Sequence, residues 1–198
     1  SVLLLSRLLE ENNEGNLNPQ QIEYASVIRS SGNGLLELID EILDLSKIES
    51  GKLELDYEKV AVKDILRNMQ MLFEPMAKEK GIILNISIDE TVPQQIETDQ
   101  LRLEQILKNL LSNALKFTNK GSIELSVDLS NENDHYVIFS VKDSGIGIPE
   151  EKQQLIFEAF QQADGSTKRK YGGTGLGLSI SKQLALLLTG DITLSSTP

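Results

Sequence analysis

Along residues 19–50 the apolar positions Ile28, Leu35 and Ile42 stand seven apart, with Leu38 and Leu45 at the complementary spacing. That pattern predicts one long helix from Pro19 to about Ser50 with a coiled-coil seam. A second apolar row, Leu36, Ile39 and Leu43, widens the stripe, so the helix must cover more than one neighbour, as in a four-helix bundle. Upstream, Val2, Leu5, Leu8 and Leu9 predict a shorter helix over 1–13, and Asn18-Pro19 supplies an N-cap followed by proline at the first helical position. The pair reads as an antiparallel helical hairpin. About 13 residues of helix span roughly 20 Å and about 32 span roughly 48 Å. Much of the second helix therefore lacks a partner. The expectation is a first helix that the sequence enters partway along, with two hairpins from two copies completing the bundle as a homodimer.

After Gly51 the period changes. Residues 53–62 predict a short strand and 63–80 a helix with Ile65, Met69, Leu72 and Phe73 on one side. Ile82, Leu84, Ile86 and Ile88 alternate with Ile83, Asn85, Ser87 and Asp89, the pattern of a half-buried strand. A helix from Asp99 to Phe117 follows, its apolar face made by Leu103, Ile106, Leu107, Leu110, Leu111 and Ala114. Ile123, Leu125, Val127 and Leu129 alternate, a polar turn intervenes at 131–134, and 136–142 returns as the second strand of a hairpin. A short helix near 150–157, a polar basic loop over 161–170, a helix ending near Leu188 and a last strand over 191–195 complete the reading. The fold class is α+β, an N-terminal helical hairpin followed by a two-layer α/β sandwich with helices on one face of a largely antiparallel sheet. The boundary falls between residues 1–51 and 52–198. The last strand stops with nothing to pair against, so further strands are expected beyond it.

A chain of 198 residues, 39% of them hydrophobic, can bury a core of this kind. The net charge of -11 argues against a nucleic-acid surface, so any phosphate site must be made locally, from backbone N–H groups, a few cationic side chains and a metal cation. The chain has no cysteine, which excludes thiolate metal ligands and cysteine nucleophiles. No run is long enough to span a bilayer, so attachment to a membrane would come only through regions outside these residues, and a cytoplasmic location is expected.

Three stretches carry candidate chemistry. Asp143-Ser-Gly-Ile-Gly147 ends a strand with a carboxylate and two glycines; it is either a plain turn or a place where a flat ring with an exocyclic amine approaches bare backbone. Asn109, Asn113 and Lys116 share one helix face, either a solvated face or a set that ligates a hard cation and reaches phosphate oxygens. Gly173, Thr174, Gly175, Leu176 and Gly177 open a helix whose first N–H groups favour anions, and Lys168, Arg169 and Lys170 precede them on a polar loop; the alternative is a flexible linker.

Together these stretches resemble the ATP-binding domain of sensor histidine kinases, part of a superfamily shared with gyrase, a heat-shock chaperone and mismatch-repair ATPases. Asn109-Leu-Leu-Ser-Asn113-Ala-Leu-Lys116 resembles the family's N box, Asp143-Ser-Gly145-Ile-Gly147 its G1 box, Phe157-Glu-Ala-Phe160 its F box and Gly173-Thr-Gly175-Leu-Gly177 its G2 box. The hairpin ending Leu43-Asp-Leu-Ser-Lys-Ile-Glu-Ser-Gly51 resembles its dimerisation and phosphotransfer domain. The resemblance implies an ATP-binding sandwich of the Bergerat type. In it Asp143 reads the adenine amine, Asn113 holds Mg²⁺ with Asn109 nearby, and Lys116 touches phosphates. The G2 glycines cradle the triphosphate under a lid anchored by Phe157 and Phe160, with Lys168 and Arg169 in it. It also implies transfer of the γ-phosphoryl group to a bundle histidine, relay to an aspartate of a response-regulator receiver domain, and a second copy of the chain as partner. The only histidine is His135, at a hairpin turn, which reads as a surface residue rather than the acceptor. An ATP-dependent signalling scaffold and a serine kinase on the same fold remain as alternatives.

Overall fold

The computed structural model describes residues 1–130, 136–159 and 175–197. They fall into two compact units, Ser1–Gly51 and Lys52–Pro198.

The first unit is a helical hairpin of α1 (Val2–Glu11) and α2 (Pro19–Glu49). Asn18 starts α2 with a full capping box: its side chain accepts the Gln21 N–H while the Gln21 side chain accepts the Asn18 N–H. Arg29 forks onto the Glu10 carboxylate and ties the helices together. Gly32 lets the Leu3 side chain lie against α2, where a Cβ would meet Leu3 Cδ2 at 2.6 Å. The hairpin buries little by itself. Ser6 and Ala25 are its buried residues, whereas Leu35, Leu36, Ile39 and Leu43 stay about half exposed.

Among its described residues the second unit has two sheets and three α-helices. β1 (Glu58–Ala61) pairs antiparallel with β3 (Gln95–Thr98), Val60 opposite Ile96. β2 (Ile83–Ile88), β4 (Ser122–Leu129) and β5 (Val137–Asp143) form the larger sheet in the order β2-β4-β5. Helix α3 (Val62–Lys80) buries Val62, Ile65, Leu66, Met69, Phe73 and Ala77, a run spaced by threes and fours that gives one apolar face. Helix α4 (Gln100–Phe117) buries Leu107, Leu111, Ala114 and Leu115 against the same core. The sheet meets both with alternate residues of β4, Ile123, Leu125 and Val127, all fully buried, flanked by half-buried Leu84, Ile86 and Ile88. Helix α5 (Gly177–Leu187) buries Ile180, Leu184 and Ala185. The fold is α+β.

Four expectations change. The strand expected over 53–62 shrinks to β1, because only its four residues face a partner; residues 52–57 carry no regular structure, with the Asp56 N–H held by Asp99 Oδ2 at 3.1 Å. The larger sheet is mixed, since β2 runs parallel to β4 while β4 and β5 are antiparallel. The helix near 150–157 is two 3-10 turns, Glu150–Lys152 and Leu155–Phe157. The last strand does not form: residues 190–197 carry no regular structure. That segment is held instead by side chains, Lys182 Nζ donating to Ile192 O at 2.9 Å and Ser196 Oγ accepting the Ile148 N–H at 2.9 Å. The turn at 131–134 and His135 lie outside the described residues.

Candidate functional site

Helix α4 is the floor on which the candidate residues meet. Asp99 starts it, accepting the Arg102 N–H at 3.0 Å as an N-cap, and the leucine face fixes its rotation on the sheet. Asn109, Asn113 and Lys116 therefore point to the side of that face and are half-buried.

The asparagines are ordered by a relay. Asn109 Nδ2 donates to Ser181 Oγ at 2.8 Å, and Asn109 Oδ1 accepts Asn113 Nδ2 at 3.2 Å. The chain of bonds begins at Ser181, which is 2% exposed, and fixes the sense of both amides. Asn113 Oδ1 is left as a hard oxygen without a hydrogen bond among the described residues, the type of atom that suits Mg²⁺. Among the described residues no group of three or more acidic, histidine or cysteine side chains could cage a metal. The Asn113 amide oxygen fits a hard cation whose other ligands are ligand oxygens and water.

Two close approaches bring the glycine motifs onto this helix. Gly177, the first residue of α5, lies so near Asn109 that a Cβ there would sit inside contact distance of its amide. Gly145 lies against the end of α4, where a Cβ would meet the Phe117 carbonyl oxygen at 2.8 Å and Asp143 Oδ1 at 2.6 Å. Both positions need glycine for space. Gly147 and Gly175 need it for backbone shape, with φ of 67° and 74°.

The Asp143 carboxylate is turned by its own loop, Oδ1 accepting the Gly145 N–H at 2.8 Å, while Oδ2 has no hydrogen bond among the described residues. Lys116 lies with Nζ 5.0 Å from the Phe117 ring centroid. Burial holds its ammonium pKa below the ordinary lysine value. A desolvated cation of that kind favours an anionic partner. Helix α5 starts after Leu176, whose side chain makes no cap hydrogen bond.

The structure thus brings together Asn109, Asn113, Lys116, Asp143, Gly145 and Gly177. Phe157 stands on the second 3-10 turn, where Lys182 Nζ of α5 lies 5.5 Å from its ring centroid. Leu176 is fully buried at the entrance to α5, a core position. Phe160, Lys168, Arg169, Gly173 and Thr174 lie outside the described residues. Sequence reasoning missed Ser181 and Ser144. Ser181 stands four residues after Gly177, hence on the same helix face, a signal that was present.

Two family models match the chain. Residues 1–51 match the His Kinase A (phospho-acceptor) domain, and residues 98–198 match the histidine kinase-, DNA gyrase B- and HSP90-like ATPase. The chain belongs to the sensor histidine kinase family. Among relatives of known name in this family, hybrid signal transduction histidine kinase B of Dictyostelium discoideum is 46% identical over 91% of this chain and 9% of its own length. Sensor protein GacS of Pseudomonas syringae pv. syringae is 42% identical, and signal transduction histidine-protein kinase BarA of Escherichia coli K12 is 40% identical, each over 92% of this chain and 20% of its own length. The chain thus spans at most a fifth of these three histidine kinases. Among solved structures it is similar to full-length ShkA in complex with AMPPNP, at 35% identity and TM-score 0.75, over 93% of this chain and 37% of that one. It is also similar to histidine kinase ThkA in complex with response regulator protein TrrA, at 25% identity and TM-score 0.63, over 96% of this chain and 51% of that one. Among the described residues no helix is long and apolar enough to cross a membrane.

Proposed function

We propose that residues 52–198 bind Mg-ATP and donate its γ-phosphoryl group to a histidine on a helical bundle, for relay to a response-regulator aspartate. The observation that carries this reading is the convergence on α4 of the Asn113–Asn109–Ser181 relay and the Asp143–Gly145 loop. One end offers oxygen to a cation and the other offers carboxylate to a base, with Lys116 between them in sequence and half-buried. The AMPPNP in the similar ShkA structure and the response regulator bound to the similar ThkA support the same reading.

In this reading Asp143 Oδ2 accepts a hydrogen bond from the adenine amine, and Gly145 and Gly147 let the ring lie against backbone. Asn113 Oδ1 would ligate the cation while the Asn109–Ser181 bond holds that amide in register. Mg²⁺ supplies charge neutralisation on the phosphate oxygens. Lys116 holds a proton at Nζ beside the phosphates, and the N-terminal end of α5, with Gly173, Thr174 and Gly175 before it, offers N–H groups to them. Phe157 and Phe160 would anchor the segment carrying Lys168 and Arg169 over the triphosphate. Residues 1–51 would form the dimerisation and phosphotransfer hairpin, two copies covering the half-exposed Leu35, Leu36, Ile39 and Leu43 of one another in a four-helix bundle.

None of residues 1–51 is a histidine. The test therefore supplies the acceptor: this chain, radiolabelled Mg-ATP and the helical hairpin of a similar kinase carrying its own histidine. Acid-labile, base-stable label on that hairpin is the expected result. Nucleotide binding without any such label would leave an ATP-dependent scaffold, and acid-stable label would point to a serine kinase.

A further inference from the structure

The β4–β5 ladder reaches its last register pair at Ile123 and Asp143. A carboxylate at a strand terminus would fray, yet Ser144 continues the pairing beyond it. Its backbone N–H donates to Ser122 O at 3.1 Å, and its hydroxyl oxygen accepts the Ser122 N–H at 2.9 Å. The side chain thus stands in for a ladder carbonyl. The hydroxyl proton has two carbonyl oxygens in reach, Ser122 O at 3.2 Å and Lys120 O at 3.4 Å. Gly121 makes room for this arrangement: a Cβ there would fall inside contact distance of Ser144 Oγ, and its φ of 116° is a conformation that side-chain-bearing residues rarely adopt. Gly121 O in turn accepts the Ile83 N–H at 3.0 Å, so the turn that receives Ser144 is itself fixed to β2.

We infer that Ser144, seated on the Gly121–Ser122 turn, is a positioning residue that sets the base-reading carboxylate of Asp143 for adenine recognition. The inference rests on the nucleotide reading above and goes beyond it by naming a side chain that would touch neither base nor phosphate. Asp143 is held from both directions: Gly145 N–H turns the carboxylate, and the Ser144 clasp fixes the backbone that carries it. Because the clasp acts on the base end alone, its loss should reduce adenine recognition and spare the phosphate end.

The test is calorimetric titration of the whole chain with Mg-ATP, Mg-GTP and magnesium tripolyphosphate. Ser144→Ala is expected to weaken ATP about fivefold, the scale of one lost neutral hydrogen bond, to shrink the preference for ATP over GTP, and to leave tripolyphosphate within twofold. Ser144→Thr, which keeps the hydroxyl, should restore ATP binding. Gly121→Ala should reproduce the Ser144→Ala pattern by displacing the hydroxyl. An unchanged ATP affinity in Ser144→Ala overturns the inference, as does equal weakening of ATP and tripolyphosphate. An unmodified chain that binds neither ATP nor GTP overturns the nucleotide reading itself, which is a different outcome.

Discussion

Asn109 and Ser181 are hydrogen-bonded at 2.8 Å although seventy-two residues separate them, and the serine is buried at the point where α5 crosses the middle of α4. The bond gives a polar helix face an internal partner. It also decides which atom of Asn113 is free, because Asn109 Oδ1 then takes the Asn113 Nδ2 hydrogen.

Removing the anchor should therefore affect the cation more than the base. Ser181→Ala leaves Asn109 Nδ2 half-buried without its acceptor, and Asn113 can then turn either end of its amide outward. Mg-ATP affinity should fall about tenfold, a cost within the range for an orphaned buried group, while affinity for ATP in the presence of a chelator changes less. Titration calorimetry with and without magnesium reads the difference. Equal losses in both would mean that the relay does not serve the cation.

Gly177 is predicted to resist the usual gain from alanine in a helix. Alanine is the better helix former of the two. At this position, however, the added methyl group would run into an Asn109 amide held by two hydrogen bonds. Gly177→Ala should destabilise the fold by about 1–3 kcal/mol, the scale of overpacking. Adding Asn109→Ala should recover part of that loss in chemical denaturation, because the obstacle is gone.

Much of this arrangement was written in local pattern. The seven-residue spacing of Ile28, Leu35 and Ile42 gave α2 to within a residue at each end, and the alternation of Ile123, Leu125 and Val127 gave β4. The grouping of Asn109, Asn113 and Lys116 followed from helical spacing alone. β3 was not legible, because Gln95–Thr98 is four residues with one apolar member, Ile96, and it exists as a strand only through its partner β1. The parallel pairing of β2 with β4 crosses β3 and α4 in sequence, so no local signal carries it. Ser144 was missed for a similar reason, and Ser181 because its helical spacing from Gly177 does not by itself name Asn109 as its partner. Each acts on a residue far away along the chain, and a serine taken singly reads as an ordinary turn or helix-surface residue.

Glu104 predicts a pH dependence of stability. The carboxylate is buried between α3 and α4, accepting from Gln100 Nε2 at 2.8 Å, Asn68 Nδ2 at 2.9 Å and Lys108 Nζ at 3.1 Å. Burial pushes its pKa up, but these three donors together outweigh burial and hold it below the ordinary glutamate value. In the window between that ordinary value, about 4.3, and the lower folded one, the unfolded chain binds more protons. The contribution of Glu104 is therefore full at neutral pH and is lost as pH falls through the folded pKa. Glu104→Gln should cost about 1 kcal/mol at pH 7. The gap between variant and parent should narrow on acidification, as read from denaturant midpoints at pH 7 and below pH 4.

Thr118 offers a prediction of opposite sign. It follows Lys116 and Phe117 at the end of α4, is fully buried, and its backbone N–H is satisfied by Ala114 O at 3.0 Å. Among the described residues its hydroxyl oxygen has no hydrogen-bond partner. A buried hydroxyl without a partner costs about 1–3 kcal/mol relative to water, and valine has nearly the same shape without the polar atom. Thr118→Val should therefore raise stability by about 1 kcal/mol, with a higher denaturation midpoint and an unchanged denaturant slope. Its effect on nucleotide binding separates two origins of the orphan. If the hydroxyl is only a packing compromise, ATP affinity stays within twofold while stability rises. If Thr118→Val instead weakens ATP, the hydroxyl is held unpaired for a ligand or a water that the nucleotide brings, since Phe117 O beside it is the same carbonyl on which Gly145 rests. Denaturation and titration on one protein preparation distinguish the two, because the first moves stability alone and the second moves both.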